Sequence, residues 1–154
     1  MASLREQKLA DLGVTLPTAA APVANYVAAV RTGTLLVVSG QLPLVEGRLS
    51  ATGKLGGGVG IEQGAAAARA CAINLLAQIK ATLGSLDGVV RVVRLGGFIA
   101  CTADFTQHAT VMNGASDLMA AVFGESGRHA RSTIGVPSLP LDAPVEVEGL
   151  FEIA

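Results

Sequence analysis

Two residues near the carboxyl end of the sequence have side chains that could bind a small acidic molecule. Arg131 heads a stretch of small or apolar residues, Ser132–Val136, and Glu146 lies in the later stretch VEVEGLFEI. A guanidinium presents a planar fork of donors that matches a carboxylate, either of the protein or of a ligand. The pair therefore indicates either a structural salt bridge between Arg131 and Glu146 or a small-molecule site built around them.

The stretch around Glu146 has the alternation of a half-buried β-strand. Apolar residues and a glycine occupy every second position from Val145 to Ile153, and Glu146 and Glu148 fall on the other face. The simplest interpretation of that second face is that water solvates it, although Leu150 interrupts its polar character. At a subunit interface the carboxylates would need partners, because an unpaired buried charge is costly.

Arg131 becomes the partner of Glu146 if the last two strands form a hairpin. A hairpin centred between Ser138 and Leu139 would place the two residues opposite each other. The connecting segment SLPLDAP is too long to fix that register, so the pairing is permitted and not required. If the pair forms, we expect the guanidinium to lower the pKa of the Glu146 carboxyl.

The preceding sequence predicts the elements that position these strands. Apolar spacing predicts a helix over Ile61–Leu83 that ends at Gly84, and the β-branched run Val89–Ala100 predicts a buried central strand. A capping-box pattern at Asp104–Gln107 predicts a second helix that runs to Gly124. The remaining predicted elements are a polar arm at residues 1–15, a hairpin of Tyr26–Val30 and Thr34–Leu42 that turns at Thr32-Gly33, and strands at Arg131–Val136 and Val145–Ile153. This order predicts an α+β fold with two helices on one face of a mixed sheet.

Length and composition limit the classes of protein. The 154 residues fit one domain, and 51% of them are hydrophobic while 15% are charged. A small domain this apolar has trouble covering its own surface, which predicts a homo-oligomer whose subunits cover the second sheet face. A net charge of −1 and 3% aromatic residues disfavour a nucleic-acid partner. The apolar runs are too short to span a membrane, and the charged amino terminus is not a signal peptide, so we expect a cytoplasmic protein.

Other chemistry-bearing residues do not form a recognised pattern. The glycine-rich stretch Gly53–Gly60 precedes a helix, but it lacks the lysine and hydroxyl positions of a phosphate loop, so we expect a mobile surface loop. His108 and His129 have no metal-ligand spacing, and Cys71 and Cys101 are expected to be reduced core thiols. No nucleophile-elbow motif indicates a serine hydrolase. The sequence predicts neither a metal nor a cofactor.

Four short segments, in order, make the sequence similar to a known family. They lie between Pro22 and Ile153 and are Asn25-Tyr26, Val38–Pro43, Ala130–Thr133 and Val145–Glu148. By these segments the chain resembles the Rid family of reactive-intermediate deaminases, also called YjgF-type or L-PSP endoribonuclease-like proteins. Asn113–Asp117 and Gly127–His129 resemble a less characterised branch of that family.

The resemblance implies a chorismate-mutase-like α+β fold that assembles as a homotrimer, with clefts at the subunit interfaces. Members of the family hydrolyse enamine/imine intermediates released by pyridoxal-phosphate enzymes, giving 2-oxo acids and ammonia. The implied partner is a small carboxylate-bearing imine or 2-oxo acid. Arg131 would hold the substrate carboxylate, and Glu146 would position the attacking water. Four further residues would line the cleft: Tyr26, Gly40, Asn113 and Thr133.

The chemistry of the two central residues is compatible with this activity. An imine carbon is already electrophilic, so its hydrolysis needs an oriented water and not a metal or a covalent nucleophile. A Glu146 carboxyl with a lowered pKa would suit the orientation of water better than strong base catalysis. Two other functions stay open: non-catalytic binding of a small carboxylate metabolite, and an endoribonuclease activity, against which the absence of a basic surface argues.

Overall fold

The chain forms a five-stranded sheet that helices cover on one face. The computed structural model describes residues 2–154. Within this range the helices are α1 (Leu4–Asp11), α2 (Ile61–Leu83) and α3 (His108–Phe123). The strands are β1 (Ala29–Thr32), β2 (Leu35–Gln41), β3 (Leu44–Val45), β4 (Arg48–Leu49), β5 (Val89–Ala100), β6 (Ala130–Val136) and β7 (Val145–Ile153). Short 3-10 turns occur at Leu86–Gly88, Gly124–Gly127 and Pro140–Asp142.

The strand order β1-β2-β7-β5-β6 places the two longest strands, β5 and β7, side by side within the sheet. Neighbouring strands are antiparallel, except that β5 and β6 are parallel. The sheet is therefore mixed, and β3 and β4 form a separate two-stranded ribbon. The predicted α+β fold class, with helices packed on one face of a mixed sheet, is confirmed.

Helix α2 begins and ends where the sequence predicts. Its apolar side packs on the sheet, with Leu75 and Ile79 fully buried. Gly84 ends the helix at φ +84°, a left-handed conformation that glycine adopts without steric cost. Helix α3 crosses α2 closely at Gly114, where an added Cβ atom would overlap the backbone carbonyl of Ala65. A side chain at position 114 would push the helices apart, so this glycine sets how α3 lies on the sheet.

The two faces of the sheet differ in what covers them. On β7 the residues that point toward the helices are buried, as the alternation predicts: Val145, Val147, Gly149, Phe151 and Ile153. The residues between them, including Glu146, are only partly buried and point to the opposite face, called here the open face. The other strands add exposed apolar side chains to the open face: Val30, Leu35, Val37 and Ile134. The apolar core of the chain thus lies on the helix side only.

The last two strands do not form the hairpin considered in the sequence analysis. Strand β5 lies between β6 and β7, so that within residues 2–154 the one strand that pairs with β6 is β5. An apolar, β-branched run such as β5 is well suited to the sheet interior, where both edges of the strand find backbone partners. The segment from Pro137 to Pro144 contains three prolines, which cannot donate to a ladder, and it carries the chain past β5. Arg131 and Glu146 are therefore not cross-strand neighbours.

Two boundaries also differ from the predictions. Helix α3 begins at His108, because the carboxylate of Asp104 accepts a hydrogen bond from Thr102 Oγ1 at 2.7 Å and does not cap the helix. An aspartate can close a local turn as readily as it caps a helix, and the sequence pattern does not separate the two. The first hairpin closes at Gly33-Thr34, one residue later than predicted, and β1 begins at Ala29. Tyr26 therefore lies before the strand.

The glycine-rich segment Gly53–Gly60 is not the mobile surface loop that its composition predicts. Leu55 and Val59, which stand among the glycines, are buried in the core. Leu55 also forms a bridge to Cys101, just after β5. The burial of Leu55 and Val59 holds this segment against the core, although its glycines favour flexibility. The bridge also shows that Cys101 lies at the edge of the core, and its side chain is partly exposed.

Candidate functional site

Glu146 lies on the open face next to a residue without a side chain. It stands near the start of β7, beside Phe98 of β5. On the other side of Glu146, the register of β2 shifts between Val38 and Gln41, and this irregularity contains Gly40. A Cβ atom added to Gly40 would lie 2.9 Å from Glu146 Oε2. Glycine at this position therefore gives the carboxyl group its room, and the structure brings the two residues together.

The Glu146 carboxyl is half-buried, and within residues 2–154 no cation forms an ion pair with it. Burial, and to a smaller extent the negative charge of Glu148, raise its pKa above the ordinary value of 4.5. Arg94 pairs with Glu148 instead, at 3.8 Å. The expectation of a lowered pKa is wrong, because it required Arg131 nearby. Once ionised, a carboxyl with a raised pKa is a better proton acceptor than an ordinary one.

Tyr26 lies in the segment before β1 and is 48% exposed. It lines a cavity of about 130 Å³ together with Gly40. Gln78 of α2 forms part of the cavity wall, and its amide donates to the Ala20 carbonyl at 2.7 Å. Gly40 thus connects this cavity to the carboxyl group of Glu146. Tyr26, Gly40 and Glu146 are called the carboxyl site below.

Arg131 lies on the helix face of the sheet, on the edge strand β6. In the ladder it stands beside Leu95 of β5, whose side chain is buried. The Arg131 guanidinium donates to Ser116 Oγ at 3.0 Å and to the Ala109 carbonyl at 3.2 Å, both on α3. Asn113 lies on the same side of α3, because it comes one helical turn after Ala109 and one turn before Ser116. Its side chain is exposed. The structure therefore places Asn113 on the side of α3 that holds Arg131.

Ser116, which holds Arg131, is itself held by His129. His129 Nδ1 lies 2.6 Å from the Gly127 carbonyl oxygen, and Nε2 lies 2.9 Å from Ser116 Oγ. A carbonyl can only accept, so Nδ1 carries the proton, and in the neutral ring Nε2 accepts from the serine hydroxyl. The serine oxygen in turn accepts from Arg131. Each donor in this hydrogen-bond network meets one acceptor, so the network holds the Arg131 guanidinium in one orientation.

Sequence reasoning did not find the roles of Ser116 and His129. The two residues lie in different elements, and only the packing of α3 beside β6 brings them together. The sequence contains only an indirect indication. The segments that contain the two residues, Asn113–Asp117 and Gly127–His129, resemble a less characterised branch of the family described in the sequence analysis. A Ser–His pair with no characteristic spacing gives no motif.

Thr133 follows Arg131 on the helix face of β6 and stands beside Gly97. Its Oγ1 is buried and has no hydrogen-bond partner within residues 2–154. A buried hydroxyl without a partner costs free energy, which makes it a candidate to bind water or a ligand. The residues called the arginine site below are Arg131, Thr133, Asn113, Ser116 and His129.

The carboxyl site and the arginine site do not meet within one chain. Strand β5 lies between the strands that carry Arg131 and Glu146. Across β5, Glu146 is level with Phe98 and Ile134, and Ile134 lies three residues after Arg131 on β6. At about 4.8 Å per strand and about 3.3 Å per residue, the Cα atoms of Arg131 and Glu146 are roughly 14 Å apart. Their side chains also point to opposite faces. A structural salt bridge between these two residues of one chain is therefore excluded.

Comparison with known proteins identifies the family. A family model described as "YjgF/chorismate mutase-like, putative endoribonuclease" matches residues 6–152. The chain belongs to this family. It is similar to Protein TCP17 of Trypanosoma cruzi, with 50% identity over 146 residues that cover 94% of this chain and 91% of that one.

Two solved structures share the whole fold. One is the protein Atu1372 from Agrobacterium tumefaciens, whose function is unknown; it is 46% identical, with a TM-score of 0.93 over 98% of this chain and 93% of that one. The other is a "putative endoribonuclease" from Shewanella oneidensis, which is 34% identical, with a TM-score of 0.95 over 98% of this chain and 100% of that one. The likeness thus extends over nearly the full length of each.

Two observations concern metals and membranes. Within residues 2–154 no three His, Cys, Asp or Glu side chains are grouped so that they could hold a metal ion. In the same range no helix has both the length and the apolar character that a membrane span requires.

Proposed function

We propose that the protein hydrolyses enamine/imine intermediates to 2-oxo acids and ammonia, in a cleft where the arginine site of one chain meets the carboxyl site of another. One observation carries the proposal. Arg131 and Glu146 lie on opposite faces of the sheet, and neither has a partner of opposite charge within residues 2–154. Because unpaired charges need compensation when they are buried, a ligand between two subunits is a suitable partner for both if its carboxylate meets Arg131 and its imine nitrogen meets Glu146.

The reaction needs only what these two residues offer. Arg131 binds the substrate carboxylate through paired N–H donors, which holds the imine carbon near Glu146 of the neighbouring chain. Glu146 takes a proton from water as the water oxygen bonds to the imine carbon, and passes that proton to the nitrogen, which gives a carbinolamine. Glu146 then takes the hydroxyl proton and passes it to the nitrogen as the C–N bond breaks, so that ammonia leaves and the carbonyl forms. One imine and one water give one 2-oxo acid and one ammonia.

Assembly as a homotrimer is part of the same proposal. The open face displays apolar side chains, among them Val37 and Ile134, the latter 53% exposed. An exposed apolar face on a small domain is commonly covered by further copies of the chain in a closed symmetric assembly. The resemblance to trimeric family members supports three copies. Such an assembly would bring the open-face carboxyl site of one subunit close to the edge strand of the next.

Imine hydrolysis can be tested with imines that an amino acid oxidase releases from amino acids, by measuring ammonia and 2-oxo acid above the spontaneous rate. Arg131→Ala and Arg131→Lys should each lower kcat/KM by about 30-fold or more, because lysine keeps the charge but loses the fork. Glu146→Gln should lower kcat and leave the affinity for a 2-oxo acid intact. Arg48→Ala and Glu152→Gln are matched controls outside the two sites. Full activity in Arg131→Ala would disprove the proposal.

The same preparations separate this activity from two others. Binding of 2-oxo acids by the wild-type protein without any turnover would identify a carboxylate-binding protein. RNA cleavage that depends on Arg131 or Glu146 would identify the activity that the family description mentions. The net charge of −1 gives little attraction for a polyanion, which favours the small-molecule alternatives.

A further inference from the structure

A second group of reactive side chains lies where β5 ends and α3 begins. Cys101 and His108 face each other there, with Sγ 3.5 Å from Nε2. Both side chains are partly exposed and line a cavity of about 540 Å³, called here the thiol pocket. No residue of the arginine site or of the carboxyl site lines this cavity. The thiol pocket is therefore a separate feature of the chain.

The backbone of β6 provides the space in which the thiol and the imidazole meet. A Cβ atom on Gly135 would lie 2.6 Å from His108 Nε2 and 2.7 Å from Cys101 Sγ. Phe105 packs edge-on against the imidazole, with ring centroids 5.3 Å apart. The pair is thus fixed by a glycine and by an aromatic contact, and it is not a chance meeting of two surface side chains.

Lys54 gives the thiol pocket a positive charge. Its side chain lines the cavity and is exposed, and the bridge between Leu55 and Cys101 holds its segment beside the thiol. Within residues 2–154 no carboxylate forms an ion pair with Lys54. A cation without a partner at the mouth of a pocket attracts anionic molecules. Cys71, the other cysteine, is fully buried in the core.

We propose that Cys101, His108 and Lys54 form a second reactive site, which captures α,β-unsaturated carbonyl compounds that carry a carboxylate. A thiol beside an imidazole base is an activated nucleophile, and a thiol prefers soft carbon electrophiles. His108 Nε2 takes the thiol proton as Sγ bonds to the β-carbon, and the C=C electron pair moves toward the α-carbon. The α-carbon then takes the proton from His108. Nothing leaves, no oxidant is required, and the product is a thioether on Cys101.

The test uses two probes that share one reactive group. N-ethylmaleimide is neutral, whereas 3-maleimidopropionate carries a carboxylate on the same ring. Intact mass follows the reaction, and peptide mass spectrometry locates the modified residue. We expect one addition, at Cys101, while buried Cys71 stays unmodified as an internal control. The rate of each probe with Cys101 is divided by its own rate with 2-mercaptoethanol, which removes the difference in intrinsic reactivity between the probes. After this division, the anionic probe should react about fivefold faster than the neutral one, which corresponds to one nearby opposite charge in water.

Variants separate the roles of the three residues. Lys54→Gln should remove the preference for the anionic probe, whereas Lys8→Gln, an exposed lysine on α1, should leave both rates and the preference unchanged. His108→Asn should slow both probes by about tenfold or more, because it removes the base. Lys54 is exposed, so its variant keeps the test decisive even if His108→Asn does not fold. The proposal is overturned if Cys101 reacts no faster than 2-mercaptoethanol, if His108→Asn keeps the wild-type rate, or if Lys54→Gln keeps the preference.

Discussion

The orientation of Arg131 is set by neutral groups, and no carboxylate within residues 2–154 forms an ion pair with it. Ser116 Oγ and the Ala109 carbonyl accept two of its N–H donors, and His129 fixes the serine in turn. An arginine held in this way keeps its positive charge uncompensated. A salt bridge would also have held the side chain, but it would have neutralised the charge that a substrate carboxylate requires.

If Ser116 orients Arg131, its loss should weaken ligand binding without unfolding the protein. Ser116→Ala removes a hydrogen bond worth about 1 kcal/mol, so the Kd for a 2-oxo acid should rise by about fivefold. Ser116→Thr keeps the hydroxyl and should restore most of the affinity. Titration calorimetry gives the Kd, and a melting curve checks the fold. An unchanged Kd in Ser116→Ala would show that the serine has no positioning role.

Glu146 illustrates why a pKa cannot be predicted from neighbouring residue types alone. A lowered pKa requires Arg131 nearby, but the side chains of Arg131 and Glu146 point to opposite faces. Burial beside Gly40 and the charge of Glu148 raise the pKa instead. A group whose pKa is raised on folding stabilises the folded state below its unfolded pKa, and this stabilisation is lost as pH rises through the folded pKa.

Glu146→Gln should therefore raise the melting temperature at pH 7, because glutamine has a similar shape and no charge to bury. The difference from wild type should shrink as the pH falls toward 4.5, where the wild-type carboxyl becomes protonated. Melting curves at both pH values test this. Glu152→Gln, on the same face of β7, shows what removal of any carboxylate from this face does. A variant less stable than wild type at pH 7 would mean that Glu146 has a stabilising partner in solution.

At the scale of elements, the arginine site depends on how α3 lies between α2 and β6. Gly114 allows α3 to approach the backbone of Ala65, and Ser116 follows two residues later on α3. On the other side of the sheet, the irregularity in β2 carries Gly40 to Glu146. Each site thus contains one place where the backbone approaches a neighbouring element more closely than a side chain would allow.

Gly114→Ala should destabilise the protein, although alanine is the better helix former by about 1 kcal/mol. The added Cβ meets a backbone carbonyl, which cannot move aside as a side chain can, and we expect a net loss of about 1–3 kcal/mol in the free energy of unfolding. Gly58→Ala is the control, because nothing lies within 4 Å of its added Cβ. Denaturant unfolding measures both. Equal stability of the two variants would mean that α2 and α3 have room to separate.

The sequence predicted the elements that carry a strong local period and missed the features that depend on distant partners. Ile61–Leu83, Val89–Ala100 and Val145–Ile153 have the predicted bounds, since apolar spacing over many residues specifies a helix or strand. The position of β5 between β6 and β7 depends on long-range pairing, which no local pattern reports. Asp104 closes a local turn with Thr102 instead of capping α3, and the sequence pattern is compatible with both.

For the site residues, too, the sequence predicted what depends on local pattern and missed what depends on distant partners. Arg131 and Glu146 were assigned to strands, and the alternation on β7 placed Glu146 on the correct face. Which face Arg131 occupies depends on the parallel pairing of β6 with β5, and this pairing was not predicted. The link from Ser116 to His129 was missed because the two residues meet only through tertiary packing.

At the scale of the whole molecule, one chain carries both halves of the proposed site but cannot join them. The arginine site lies beside the free edge of β6, and the carboxyl site lies on the open face. In a closed ring of identical subunits, the edge of each chain meets the same surface of the next, so every interface would contain one complete site. Mass measurement at micromolar concentration should accordingly give three times the chain mass, and a stable monomer would contradict the proposal.

Mixed assemblies test whether a site takes residues from two chains. Arg131→Ala and Glu146→Gln should each be nearly inactive alone. In a randomly mixed trimer, however, a site is complete wherever a chain with an intact arginine meets a neighbour with an intact glutamate. At equal proportions this holds for about a quarter of the sites, so co-expression should restore about a quarter of the wild-type rate of imine hydrolysis. The double variant Arg131→Ala/Glu146→Gln, co-expressed with either single variant, is the control and should restore nothing, since each mixture lacks one of the two residues altogether. If the two single variants together remain inactive in confirmed mixed trimers, no active site is completed by residues of two chains, and the proposed cleft between subunits is ruled out.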